Sequence, residues 1–593
     1  MKKNYLTFAL LLSLASTLPV YVYAQEEDHV EEQAEESAPP EQETTGQEEV
    51  AQENIATEVE KAEERKEEKR PPSVLEVNYK NIESAGLYAS ARDGGLGKDI
   101  WDNAHRSYLI GLIERLPDSI SSRTLRRLIK RALLTQTSAD LIQNDIEIQP
   151  GRDLLTVRME KLIDMGLYAQ AFDLYSLLNK EPYHERLARA GILAMLYNGE
   201  KPLACLEANI LGTRFAEIEF WQQFKAYCAF TVSDNATEED KKILQSSGKR
   251  VFQSIAAGGH PAFSYTPQAF SGLSYIEQAV LVAEKGIGTG GLGNYRDIPA
   301  RHLGVLLKNE SLSDEQRFRL TVEAVGKNIL EPEDLKKLYL LSDAGEKPID
   351  TLAQWQLPAY FLYKVKNEKD PEKRWNILSQ HVFGLLDNYG VMALSPYAEY
   401  MQNLKPANPT LSEIGATIRI LHSAGQSISP YWSEVLGSMY NGNIAASDEY
   451  KRLYFIAFLS KTDYRKSAEE KERVEAFLSK SKAAHSLFLK NIIENLDRSY
   501  ENDHNASKVY EKDFDLTSVE DYVMPSVDVW DRLVLVSQNR NIGETILLST
   551  FALQGAPIDR FYPGVLRNVL MSFNTVGLTN VSRELIVEAL LEI

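Results

Sequence analysis

Gly288-Thr289-Gly290-Gly291-Leu292-Gly293 is a literal GxGxxG. At that spacing a tight turn can bring backbone amides against a dinucleotide pyrophosphate. The chemistry needs a strand before the glycines, a helix after them and an acidic residue ~20 positions on. Here residues 275–285 read as a helix and Pro299 follows soon after, so the segment reads as a flexible loop. Gly94-Gly95-Leu96-Gly97-Lys98-Asp99 matches a phosphate loop only in part. Arg92 stands where the first glycine belongs, and Asp99 replaces the hydroxyl that would hold magnesium. His184-Glu185 opens a zinc-protease pattern, but Ala188 occupies the second histidine position. No Gly-x-Ser-x-Gly nucleophile elbow occurs. No cofactor and no metal is expected.

Two other groups carry more weight. Cys205 and Cys228 are the only cysteines, and an even pair in an oxidising compartment reads as a structural disulfide. Arg123, Arg126, Arg127, Lys130 and Arg131 form a basic stripe in an otherwise acidic chain. Its default reading is a solvated helix face. The sharper one is an intramolecular or partner dock for acidic segments, including residues 25–70. Glu83-Ser84 resembles the catalytic Glu-Ser pair of lytic transglycosylases, some of which are exported helical solenoids. The downstream Gly-Leu-Met-Gln of that family is missing, with Gly95-Leu96-Gly97 a poor stand-in. Glu83 is therefore read as a solvated helix-face carboxylate.

The elements that must position such residues are helical almost throughout. Leu566, Val569, Leu570 and Phe573 recur at i, i+3, i+4 and i+7, and Ile414, Ile418 and Leu421 follow the same period. Gly577 and Gly425 mark the ends of these stripes, Ser313 with Gln316 makes a capping-box pattern, and Pro332 suits a first helical position. The helices come in pairs: 154–165 with 168–178, 184–197 with 202–210, 313–325 with 332–341, 529–539 with 543–554, and 563–575 with 579–591. Gly166 and Gly199 lie 33 residues apart, as do Ala171 and Ala204.

With Gly166-Leu167-Tyr168, Ala171 and Tyr175, this resembles the tetratricopeptide repeat for about two repeats, within residues 153–250. The resemblance implies an α-solenoid of stacked antiparallel hairpins, with Cys205 and Cys228 on neighbouring helices and an extended concave surface for a protein or peptide. Tyr440-Asn441-Gly442 echoes the turn at Tyr197-Asn198-Gly199. The chain as a whole also resembles exported all-helical proteins of alphaproteobacteria, which implies an exported helical build and no particular activity.

Composition sets the remaining bounds. The chain is 44% hydrophobic and 25% charged, which is globular, and its net charge of −20 argues against nucleic acid and anionic lipid. Lys2 and Lys3, the apolar stretch from Tyr5 to Leu18 and the Val22-Tyr23-Ala24 pattern read as a signal peptide over 1–24, cleaved after Ala24. Residues 25–70 hold 18 acidic against five basic residues, and the spacer as far as residue 72 is expected to be disordered. Helical-repeat regions are expected over 73–255 and 301–593, separated by a Gly/Pro-rich irregular connector over 256–300. Residues 498–527 form a second irregular segment, charged and Tyr-containing. The combined expectation is an all-α, soluble periplasmic scaffold or adaptor for an envelope protein or peptide. The alternatives are a peptidoglycan-acting enzyme of lytic transglycosylase type and a purely structural spacer.

Overall fold

The chain turns back on itself wherever a left-handed glycine ends a helix. In the computed structural model Leu154–Asp164 (α3) closes at Gly166, φ 77°, where the Leu167 amide donates to Leu162 O at 2.8 Å and the Gly166 amide to Ile163 O at 2.9 Å. Gly199, Gly425 and Gly577 close later helices with the same paired bonds, because only glycine enters this conformation without a Cβ penalty. The structure describes residues 82–118, 120, 122–143, 145–146, 151–178, 184–233, 235–290, 292–439, 447–459, 523–555, 558–561 and 563–592. The signal-peptide, acidic-spacer and Tyr440-Asn441-Gly442 readings lie outside these residues, as does all but the end of the 498–527 segment.

The described residues fall in one compact unit, Val77–Ile593, and are overwhelmingly helical. Before α3 come α1 (Arg106–Arg115) and α2 (Arg123–Leu134). After it come α4 (Tyr168–Ser176), α5 (Glu185–Tyr197), α6 (Lys201–Leu211), α7 (Glu219–Thr231), α8 (Glu238–Ser246) and α9 (Arg250–Ala256). Across the irregular connector lie α10 (Pro267–Ser271), α11 (Tyr275–Ala283) and α12 (Ala300–Leu306). Then follow α13 (Asp314–Gly326), α14 (Pro332–Leu341), α15 (Leu357–Asn367), α16 (Pro371–Ile377), α17 (Leu386–Leu394) and α18 (Ala398–Met401). The series ends with α19 (Leu411–Ser423), α20 (Pro430–Ser438), α21 (Asp448–Leu459), α22 (Val527–Gln538), α23 (Ile542–Ala552), α24 (Pro563–Thr575) and α25 (Thr579–Glu592). No described helix is long and apolar enough to cross a membrane.

Small residues let the hairpin helices approach. Ala171 and Ala204 are fully buried, and Gly191 of α5 leaves room for the Tyr175 ring of α4, which a Cβ would meet at 2.3 Å. Cys205 of α6 and Cys228 of α7 lie at bonding distance, S–S 2.01 Å with Cα atoms 5.6 Å apart. The predicted capping box holds: Ser313 Oγ accepts from the Gln316 amide at 3.2 Å, and Pro332 opens α14. Within the connector, β1 (Phe263–Ser264) pairs in parallel with β2 (Ile287–Gly288). Gly288 thus lies within a two-residue strand, but the chain beyond it enters a 3-10 turn at Tyr295–Asp297 and not a helix N-terminus.

One expectation is corrected. A one-dimensional array would let each hairpin touch only its neighbours. Here α2 packs against α23 and α25, and α1 against α23, across more than four hundred residues of chain. The Gly543 amide donates to Ile100 O at 2.7 Å, and the Trp101 ring occupies the space beside Gly543. Apolar seams alone do not require this. Glycine at position 543 permits it, because a Cβ there would lie 2.0 Å from the Trp101 ring.

Two outcomes follow from this packing. Gly543→Ala forces the ring to move and should lower stability by about 1–3 kcal/mol, read as a lower urea midpoint with an unchanged m-value. Replacing Cys205 and Cys228 together by serine removes a cross-link over a sequence separation of 23. Thermal unfolding should report a loss of about 3 kcal/mol in the chain-entropy account.

Candidate functional site

One cleft forms where consecutive helices turn residues of the same face to solvent. Glu160, Ile163 and Asp164 share one face of α3, and Arg186, Arg189, Ala190 and Leu193 share one face of α5 at i, i+3, i+4 and i+7. With Ile218, Glu219 and Phe220 at the start of α7, they line a cleft of about 580 Å³. Lys249 and, at the start of α11, Ser274, Tyr275 and Ile276 complete its lining. Helix α11 packs along α5 and is almost wholly buried, so the chain itself fills part of the face that the hairpins leave open. Its ends are tied down: Tyr275 Oη donates to Asp164 at 2.6 Å, and Glu284 accepts from Tyr227 Oη at 2.6 Å and from Lys201 Nζ at 3.0 Å.

The charges of this cleft are paired within the chain. Arg186 Nε donates to Glu160 at 2.7 Å and its second arm to Glu114 at 3.1 Å. Arg189 pairs with Glu185 at 3.1 Å and lies over the Phe220 ring, 5.7 Å from its centroid. Lys249 reaches Glu219 at 3.7 Å. Burial raises the Glu160 carboxyl pKa against the pull of Arg186. Open apolar surface remains, with Ile218 38% and Tyr275 41% exposed. Sequence reading missed this cleft. Its signal was present as charged residues at helical spacing on the first helices of successive hairpins, but no chemical motif marks them.

The basic stripe on α2 is spread over the chain's own distant parts. Arg123 Nε donates to Asn328 Oδ1 at 3.1 Å, Arg126 donates to Gly326 O at 2.8 Å, and Lys130 pairs with Glu331 at 2.8 Å. Arg131 donates to Gly94 O at 2.8 Å, and Arg127 meets Glu584 at 3.5 Å. Glu588 of α25 accepts from Ser122 Oγ at 3.0 Å, the Arg123 amide at 2.6 Å and the Thr124 amide at 3.0 Å, capping the start of α2. Burial depresses Arg123 and Arg126 to about 10, so both stay charged at neutral pH. The solvated-face reading of this stripe is therefore corrected: Lys130 is buried and the other four are partly buried, because the α13–α14 turn bonds to them and helices from the end of the chain pack on α2. Residues 25–70 are not among the described ones.

Glu83 is corrected in the same sense. It is fully buried, ion-paired with Arg106, and accepts from the Leu154 amide at 2.8 Å, so its carboxylate holds the start of α3 and meets no solvent. Ser271 Oγ lies 3.4 Å from His302 Nε2, but the pair lacks a general-base geometry. Arg301 Nε also points at Nε2, at 3.3 Å, and Nδ1 contacts Tyr265 Oη at 3.0 Å where a triad would place a carboxylate. Burial beside Arg301 and Lys327 pushes His302 down to about 3, leaving a neutral ring in a packed aromatic cluster.

Glu588→Ala should cost about 1–3 kcal/mol, because three donors at the start of α2 lose their acceptor at once. Hydrogen exchange should quicken in α2 and α25 together, while α3 and α5 keep their protection. Comparison of the chain with protein-family models, with curated proteins and with solved structures finds no match in any of the three.

Proposed function

We propose that this chain is an exported helical-repeat scaffold or adaptor that holds a protein or peptide partner of the cell envelope. The partner sits on the face made by α3, α5 and the start of α7. The observation that carries the reading is the cleft of about 580 Å³, which lies within the usual size range of ligand pockets. Its walls are helix faces fixed by packing on both sides, a rigid frame that recognises shape without rearranging. Ile218 and Tyr275 supply the apolar surface whose burial would favour association.

The hairpins α3–α4 and α5–α6, with α7 following, are the portion that supports a solenoid description. Helices α23 and α25 pack back on α1 and α2, the first described helices. The periplasmic address rests on the signal-peptide pattern over 1–24 and on the cysteine pair, which suits an oxidising compartment.

Site-directed photo-crosslinking tests the reading. A photoreactive residue at Ile218 should yield a discrete adduct in envelope preparations. The same group at Leu206, 58% exposed on the outward side of α6, should not. Ile218→Asp should abolish capture of that partner while leaving the circular-dichroism spectrum unchanged. Adducts at Leu206 and none at Ile218 would place the partner surface elsewhere and remove this proposal.

A further inference from the structure

Ile163, Ala190, Leu193 and Ile276 are buried residues that line the α3–α5–α7 cleft. Ile218, Phe220 and Tyr275 belong to the same lining and keep surface open to water. These apolar residues come from α3, α5, the start of α7 and the start of α11.

Three acidic and three basic residues share this lining, and each has its partner within the chain. Glu160 accepts from Arg186, whose other arm reaches Glu114. Asp164 accepts from Tyr275 Oη and pairs with Lys161 at 3.4 Å. Glu219 pairs with Lys249 at 3.7 Å and accepts from the Gln223 side chain. Arg189 pairs with Glu185, which also accepts from Trp221 Nε1 at 3.2 Å. The charges of the lining therefore cancel. Among the described residues, none of the buried polar side-chain atoms left without a hydrogen bond belongs to it.

Charge complementarity selects the occupant. A carboxylate drawn to Arg189 or Lys249 meets Glu185 or Glu219 already in place, and an ammonium meets the cations of the same pairs. Either gains only what it displaces, and a charge left desolvated and unpaired is costly. An apolar side chain breaks no pair, and it removes the open surface of Ile218, Phe220 and Tyr275 from water. We propose that the cleft takes a peptide segment with one large apolar side chain, of the leucine, methionine or phenylalanine class, between uncharged neighbours. This rests on the cleft being the partner site, and it names the chemistry of the partner there. Such binding is close to independent of salt, because no charge is exchanged for another.

Selection of a random short-peptide library on the full chain, with counter-selection on Ile218→Asp, tests it. The retained peptides should share one large apolar residue with no charged residue beside it. A synthetic copy of the commonest should keep its affinity within about twofold between about 0.1 M and about 1 M sodium chloride, where screening lengths are about 10 Å and 3 Å. Alanine in place of its apolar residue should weaken it by about tenfold or more. Arg189→Gln leaves Glu185 its Trp221 bond and should change the affinity by less than about twofold. A recurring acidic or basic residue in the retained peptides would overturn the proposal. So would a larger loss in salt or in Arg189→Gln, or a library that yields no peptide preferring the wild-type chain. Tighter binding of the neutral lipid monoolein than of any peptide, or a particle mass that halves in Ile218→Asp, would name a lipid or a second copy as occupant and overturn it too. An envelope adduct at Ile218 alongside charged retained peptides would sink this inference alone. Uncharged peptides without such an adduct would sink only the scaffold reading.

Discussion

Helix α2 places five cationic side chains on a segment whose other face is buried in the core, so its cations must find partners near that core or hold it in water. They find them far away in sequence: Glu331, Asn328 and Gly326 O from the α13–α14 region, Glu584 from α25, and Gly94 O from the chain's beginning. Glu588 closes the arrangement by accepting from three donors at the start of the same helix. Desolvating arginines is costly unless each is bonded, and only a folded-back chain supplies those bonds here. The closure between α1–α2 and α23–α25 therefore depends on matching these donors as much as on the apolar contacts around Trp101 and Gly543.

This constraint separates the molecule from an open stack of hairpins. In α3–α7 the pairs pack one upon the next, with small residues at the close approaches and the Cys205–Cys228 link at one junction. Their exposed inner face is then shortened by α11, whose ends are tied to Asp164, Tyr227 and Lys201. What stays open is a short cleft with its charges paired and some apolar area bare. Among the described residues, α3–α7 do not leave a long concave groove.

The buried polar groups divide along the same line. Glu83 with Arg106 and the start of α3, and Arg158 donating to Leu133 O at 2.7 Å and Ala85 O at 2.8 Å, anchor backbone segments that would otherwise be buried unsatisfied. His302 is held neutral among aromatic rings. These residue types look catalytic in a sequence, and their neighbours make them structural.

The sequence by itself determined what depends on near neighbours. The helical periods, the stops at Gly166, Gly199, Gly425 and Gly577, the Ser313–Gln316 cap and the start of α14 at Pro332 all follow from residues within a few positions of one another. The cysteine pairing was legible too, since only two are present. The partners of the α2 cations, the burial of Glu83, the return of α25 onto α2 and the intrusion of α11 were decided by tertiary structure alone. A charged residue carries no local sign of which distant donor or acceptor will satisfy it. Helical periodicity says that a face is apolar but not which face it will meet. The α3–α5–α7 cleft was invisible for that reason, because its walls join residues that only folding brings together.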